Sequence, residues 1–249
     1  MGHIAENKIV TSPKENRLSY WFPLIKEAGL PVPATSMVEM SAEAQEQAWG
    51  YFENDTKLDA LERFVVRLAD ISSPFSRPFF LRTDLTSAKH DWRETCFVAD
   101  SARLRDHVLN IIEFSIMCDL FGLPFDRWAV REILPTEPAF HAFRGEMPIT
   151  EEWRAFVRGN ELLCVHPYWP SGALRGHTHD PKWEEKLRAL YENECPEEVT
   201  SLARAAGVAA SEHIWSVDLL NTIRGFYVID MALASMSWHS EECPNDFRL

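Results

Sequence analysis

Ile214-Trp215-Ser216-Val217-Asp218-Leu219-Leu220 and Phe226-Tyr227-Val228-Ile229-Asp230-Met231-Ala232, joined by Asn221 to Gly225, read as the two strands of a hairpin. Aromatic and β-branched side chains fill both runs, and each run carries one aspartate in its middle. Pairing Leu220 with Phe226 across the turn sets Asp218 opposite Val228 and diagonal to Asp230, so both carboxylates share a face. At roughly 5 to 8 Å two anions repel, and the pair requires a cation, a basic partner or one raised pKa. All-oxygen ligands of this kind suit a hard divalent metal such as Mg²⁺. The competing reading is that one aspartate caps a turn or pairs with an arginine.

A second hairpin lies upstream, Glu152 to Val157 and Leu162 to Tyr168 around Gly159-Asn160, where glycine at the first central position fits a type II′ turn. The turn pairs Arg158 with Glu161, Val157 with Leu162 and Arg154 with Val165. Trp153, Ala155 and Val157 then line one face, with Arg154 on the other. Between the hairpins, Ser171 to Glu198 is a polar insertion with a short helix around Trp183 to Tyr191, and Val199 to Gly207 is a further helix. His177-x-His179-Asp180 in the insertion has the composition of a metal site. No strand preorganises it, so it reads as an exposed loop.

Nearer the N-terminus, helical spacing is expected over Ser19 to Ala28, followed by an extended edge strand at Leu30-Pro31-Val32-Pro33. Ser41 to Asp70 reads as a helix or helix pair, with Leu58, Leu61, Val65 and Leu68 on one stripe. Strands are expected at Phe79 to Thr83, Thr95 to Ala99 and Trp128 to Leu134, and a helix at Ser101 to Gly122. The first strand delivers Arg82 into a Thr/Ser-rich turn followed by Lys89, a fork donor and a point charge suited to phosphate oxygens. Arg131 and Glu132, inside an apolar strand, must face a cleft, a charged partner or solvent. Helices interleaved with hairpins, without regular β-α-β alternation, indicate an α+β fold.

The chain has 249 residues, 46% of them hydrophobic, enough for one large domain or two lobes sharing a cleft. A net charge of -13 argues against general nucleic-acid binding. The five cysteines form no C-x-x-C pair and read as free thiols in a reducing cytoplasm, without a zinc or redox role. No apolar run approaches the roughly 18 residues of a membrane span, and Met1 to Val10 lacks a signal peptide's apolar stretch. The glycines of a P-loop and the G-x-S-x-G of a serine hydrolase are both absent.

In order, Arg82, Lys89, the Val130-Arg131-Glu132 strand, Arg154 and the hairpin acids Asp218 and Asp230 resemble the ATP-grasp superfamily. The resemblance covers about residues 20 to 235. More narrowly, the chain is similar to the phage and bacterial clade with two arginines and a lysine, related to the eukaryotic cell-division-cycle proteins that assemble a translation initiation factor. That resemblance implies a two-lobed ATP-grasp-like fold with mainly antiparallel sheets and the nucleotide cleft between the lobes. The expected division is an N-terminal subdomain at 1–75, a first lobe at 76–127 and a second lobe at 128–249 with an insertion near 171–198.

It also implies ATP and Mg²⁺ as cofactors. Arg82 and Lys89 would touch phosphate or substrate, and Arg131, Glu132 and Ile133 would line the adenine pocket. Arg154 would act with Arg82 on the transferring phosphoryl group, and Asp218 and Asp230 would be metal ligands. The implied activity is a cytoplasmic ligase that activates a carboxylate of a small-molecule or peptide acceptor as an acyl-phosphate, for attack by an amine or thiol. The alternatives are an ATP-binding assembly factor with a protein partner and an enzyme acting on RNA or nucleotide ends. One position departs from the pattern: the family's usual asparagine two residues after the last acid is Ala232, with Ser235 or Ser237 as candidate substitutes.

Overall fold

The computed structural model describes residues 12–53, 57–118, 122–245 and 247. The reading of Met1 to Val10, and the end of the helix expected up to Gly122, fall on residues outside that set. In chain order the first elements are α1 (Leu18–Glu27), β1 (Thr35–Glu39), α2 (Ala42–Phe52), α3 (Asp59–Ser72) and β2 (Phe79–Thr83). β3 (Phe97–Val98), α4 (Leu104–Met117) and β4 (Arg127–Glu132) follow. Among the described residues, no helix is long and apolar enough to cross a membrane.

These strands form one antiparallel sheet in the order β1-β4-β2-β3. Its two faces follow from strand alternation. Phe79 and Leu81 of β2, with Trp128 and Val130 of β4, pack on α3 and α4. Phe80, Arg82, Ala129 and Arg131 share the opposite face, since Phe80 pairs with Arg131 and Arg82 with Ala129. α3 buries Leu61, Phe64 and Leu68 as the expected stripe, with Leu58 and Val65 half-buried beside them. Buried Gln47 of α2 accepts hydrogen bonds from the Ala60 and Leu61 N–H groups at 2.7 and 3.1 Å, which satisfies donors at the start of α3.

Two boundaries differ from expectation for one reason. The edge strand is β1 at Thr35–Glu39, beyond the extended Leu30 to Pro33 segment, and β4 ends at Glu132, leaving Ile133 and Leu134 outside the sheet. Proline has no N–H for a ladder. β1 begins just after Pro33 and β2 just after Pro78, so nothing remains for Ile133 to pair with. β4 also hydrogen-bonds within this first sheet, although residue 128 was expected to open the second lobe.

The remaining elements are β5 (Phe140–Ala142), the single turn α5 (Phe143–Glu146), β6 (Met147–Ile149), β7 (Glu152–Arg158), β8 (Glu161–Pro167), α6 (Ser171–Leu174) and α7 (Trp183–Leu190). α8 (Glu197–Ala210), β9 (Ile214–Thr222) and β10 (Gly225–Leu233) complete them. The second sheet runs β10-β9-β7-β8, and β5 and β6 pair separately. α1 and α8 cover one face of the second sheet, where Trp153, Ala155 and Val157 are buried as expected. Asp84 ties α1 to the first lobe by accepting from the Ser19 N–H at 2.7 Å.

Both hairpins carry a bulge that the turns alone did not reveal. In β7–β8 a shift after Phe156 pairs Arg154 with His166, not Val165. In β9–β10 the turn tightens so that Phe226 meets Asn221, and a second shift at Ile229 sets Asp230 directly opposite Asp218. A bulge puts one extra residue on one strand and moves every later pair by one. The acids therefore stand side by side where the unbulged register placed them diagonally.

α8 rides so close on the β7–β8 turn that a Cβ at Gly207 would collide with the Gly159 carbonyl oxygen and stand 2.9 Å from Val157 Cγ2. Gly207→Ala is expected to destabilise the protein by about 1–3 kcal/mol, despite alanine's better helix propensity, because neither the turn backbone nor buried Val157 can retreat. Urea unfolding of the two proteins checks this, and equal or greater stability in the variant would contradict the close approach.

Candidate functional site

A cleft of about 920 Å³, partly open to solvent, separates the two sheets. Arg82, Lys89, Arg131 and Glu132 line it from the first lobe, and Glu152, Asp218 and Asp230 line it from the second. Ile133, Leu134 and Met147 form an apolar wall. Seven of the eight residues expected from sequence thus meet here: Arg82, Lys89, Arg131, Glu132, Ile133, Asp218 and Asp230. The eighth, Arg154, stands behind the wall and reaches the cleft through Asp218.

That contact is bidentate. Arg154 donates from Nε to Asp218 Oδ1 at 2.7 Å and from Nη2 to Oδ2 at 2.8 Å, on adjacent paired residues of β7 and β9. Its Nη1 donates to the Trp238 carbonyl at 3.2 Å, and the guanidinium lies over the Tyr168 ring. Burial would lower its pKa, but Asp218 outweighs burial and raises it. Asp230 is paired from across the cleft, by Arg82 Nη1 at 3.2 Å. Of the three ways to relieve two adjacent carboxylates, this structure shows the basic partners.

The first-lobe cations are less fully satisfied. Arg131 donates to the Ile229 carbonyl at 2.8 Å and to Thr35 Oγ1 at 3.2 Å, while its buried Nη2 has no partner. Burial, then the neighbouring Arg82, push its pKa down to about 9, against the opposing pull of Asp230 and Glu132. The group stays charged at neutral pH beside a second buried cation, which leaves a positive potential suited to an anion. Burial also works against the Lys89 ammonium, but Tyr168, Glu152 and Asp218 raise it above its ordinary value. Its Nζ donates to Tyr168 Oη at 2.8 Å and sits over the Tyr168 and Trp169 rings. The turn that presents it is fixed by Thr83, whose Oγ1 accepts from the Thr86 N–H at 3.0 Å.

Sequence reasoning missed Glu152. It is buried, it faces the cleft, and its Oε1 has no hydrogen-bond partner. The signal was available, because strand alternation that puts Arg154 on the polar face puts Glu152 there too. Tyr168, which touches Lys89 and Arg154, was read only as the end of a hairpin. Neither Ser235 nor Ser237 lines the cleft, and Ser237 instead bonds Ser216 and the Leu233 carbonyl. In the insertion, His177 stacks on Phe143 and Asp180 pairs with Lys186 at 2.6 Å, so these residues form no metal group.

Burial first, then the charges of Asp218 and Asp230, push the Glu152 carboxyl from an ordinary 4.5 to about 7, against Lys89 and Arg154. Because the folded state holds this proton more tightly than the unfolded chain, the associated stability is complete at low pH. It is lost as pH rises through about 7. In metal-free buffer the stability difference between wild type and Glu152→Gln is expected to fall by roughly 1–3 kcal/mol between about pH 5 and about pH 7.5. Urea unfolding at several pH values checks this, and a difference independent of pH would contradict it.

Residues 67–246 match the model of an ATP-grasp domain, family 3 of the clade named for two arginines and a lysine. No curated protein matches the sequence. Among solved structures, C-terminally truncated Cdc123 from Schizosaccharomyces pombe is similar at 11% identity and a TM-score of 0.52, over 88% of this chain and 83% of that one. The RimK domain ATP-grasp protein from Sphaerobacter thermophilus is 14% identical with a TM-score of 0.45, over 88% of this chain and 58% of that one. The D-alanine--D-alanine ligase from Bacillus anthracis complexed with ATP is 11% identical with a TM-score of 0.47, over 88% and 53%. This chain therefore spans little more than half of the latter two. The expected α+β fold with two antiparallel sheets flanking a cleft is the observed one, and the chain belongs to the ATP-grasp domains, in family 3 of the two-arginine, one-lysine clade.

Proposed function

We propose that the cleft binds ATP with Mg²⁺ and transfers the γ-phosphoryl group to a carboxylate, whose acyl-phosphate is then attacked by an amine or thiol. The observation that carries this reading is the meeting of buried Arg82, Arg131 and Lys89 with the paired acids Asp218 and Asp230 across one cleft, with Arg131 Nη2 unpartnered. Phosphoryl transfer needs this kind of positive, preorganised surface and no protein nucleophile.

In this reading Lys89 and Arg131 hold phosphate oxygens, and Glu132 and Ile133 meet the adenine beside the apolar wall. The Arg82–Asp230 pair holds each partner until ligand arrives. Arg82 then turns to the transferring phosphoryl group and Asp230 to the metal. Arg154 stays on Asp218 and fixes where that carboxylate points. The donors fit a hard divalent cation: all are carboxylate oxygens, and Glu152 Oε1 is buried without a hydrogen bond. Glu152 supplies the third oxygen that Ala232 lacks. Mg²⁺ bound there would neutralise phosphate charge and polarise the transferred group.

Asp230→Asn is expected to weaken Mg²⁺-dependent ATP binding by at least about tenfold while the protein stays folded. Titration calorimetry with and without chelator measures this, and unchanged affinity would remove Asp230 from the metal site. Arg82→Ala is expected to lower ADP release by roughly 10²–10³-fold in the presence of a carboxylate and amine substrate pair. A screen of amino acids and peptides for ADP formation identifies that pair. ATP binding with no ADP formed under any pairing would replace the ligase reading with that of a nucleotide-dependent binding protein.

A further inference from the structure

Cys164 and His166 lie two residues apart on β8 and therefore on one face of the strand, where their register partners are Phe156 and Arg154. The chain beyond β10 folds back over this face and brings His239 and Cys243 to them. One ligand atom from each of the four residues lies within 4.8 Å of all the others, and Cys164 Sγ is 3.3 Å from His239 Nε2. Zinc bonds of about 2.3 Å to sulfur and about 2.0 Å to nitrogen space tetrahedral ligand atoms roughly 3.3 to 3.8 Å apart. Small side-chain rotations close the observed set to that spacing.

Three further observations make this a built site. His166 Nε2 is buried and has no hydrogen-bond partner. Asn245 Nδ2 donates to Cys243 Sγ at 3.7 Å and to the Leu163 carbonyl at 3.1 Å, an N–H group placed to support a thiolate while tying the segment to β8. Phe247 stacks on Phe156 with ring centroids 4.8 Å apart and edges onto His239 at 4.9 Å, which shields the cluster from water.

We propose that Cys164, His166, His239 and Cys243 bind one structural Zn²⁺ in tetrahedral coordination. On binding, the two thiols release their protons to solvent, and two thiolates with two neutral imidazoles leave the half-buried centre without net charge. All four positions are taken by protein, so the ion holds structure and has no open site for substrate. Its structural effect is local and specific. The residue before His239 is Trp238, whose carbonyl accepts the hydrogen bond from Arg154 Nη1 at 3.2 Å. The metal would clip the C-terminal segment to the sheet and thereby back the arginine that orients Asp218. The site rests on its own residues and stands whether or not the cleft is a ligase.

The test is metal content of the full chain, purified in reducing buffer without chelator. About one equivalent of zinc per chain is expected in the wild type. Cys243→Ser and His239→Ala should each fall below about one tenth of an equivalent, and Cys195→Ser should retain it. Both ligand variants lie outside the two lobe cores, and circular dichroism verifies their folding. As a readout independent of any variant, wild-type protein stripped by chelator and titrated with Co²⁺ should develop the charge-transfer absorption of thiolate ligation, saturating at one equivalent. A wild type below one tenth of an equivalent with no such absorption overturns the proposal. So does zinc that persists in both ligand variants, or a Cys164–Cys243 disulfide found by mass spectrometry in the reduced protein.

Discussion

The bidentate ion pair between Arg154 and Asp218 is the constraint around which the rest of the structure is arranged. Both partners are nearly buried, with side chains 13% and 8% exposed. A pair this deep is tolerable only if its remaining hydrogen-bonding capacity is met, and removing one partner of such a pair typically costs about 3–5 kcal/mol. The Trp238 carbonyl and the Tyr168 ring meet that requirement for Arg154. Tyr168 in turn takes Lys89 from the opposite lobe, so one buried pair in the second sheet organises a contact across the cleft.

The two lobes divide the work of the cleft by charge. The first sheet presents Arg82 and Arg131 on the face that its helices leave free, while its other face packs Phe79, Leu81, Trp128 and Val130. The second sheet presents Glu152, Asp218 and Asp230 on the face away from α1 and α8. Each lobe alone would concentrate like charge in a poorly solvated site, which is costly. Facing one another they compensate, and Arg82 with Asp230 completes the compensation across the gap. The incomplete part is the informative one: Arg131 Nη2 and Glu152 Oε1 are left without partners inside a cleft that a ligand can enter.

The C-terminal segment belongs to the same polar face. Ser237 bonds Ser216, Trp238 backs Arg154, and His239 and Cys243 meet the β8 pair, in sequence order along the sheet. The residues of the proposed zinc clip and those of the cleft are therefore successive rows of one surface.

Local pattern alone determined which side chains face where. Alternation placed Trp153, Ala155 and Val157 in the core and Arg154 against it, and the Phe79–Thr83 strand, the hairpin acids and the Arg82–Lys89 turn were all readable from short stretches of chain. The period of two along a strand is set by covalent geometry, so it survives whatever the strand packs against. Pairing between strands is not local. The bulges at Phe156 and Ile229, the end of β4 before Ile133, and the approach of Glu152 to Lys89 depend on neighbours distant in sequence. The Cys164-x-His166 and His239-x-x-x-Cys243 pairs carried no zinc signature individually, because neither short pair completes a coordination sphere. Only the fold of the C-terminal segment onto β8 brought the two halves together.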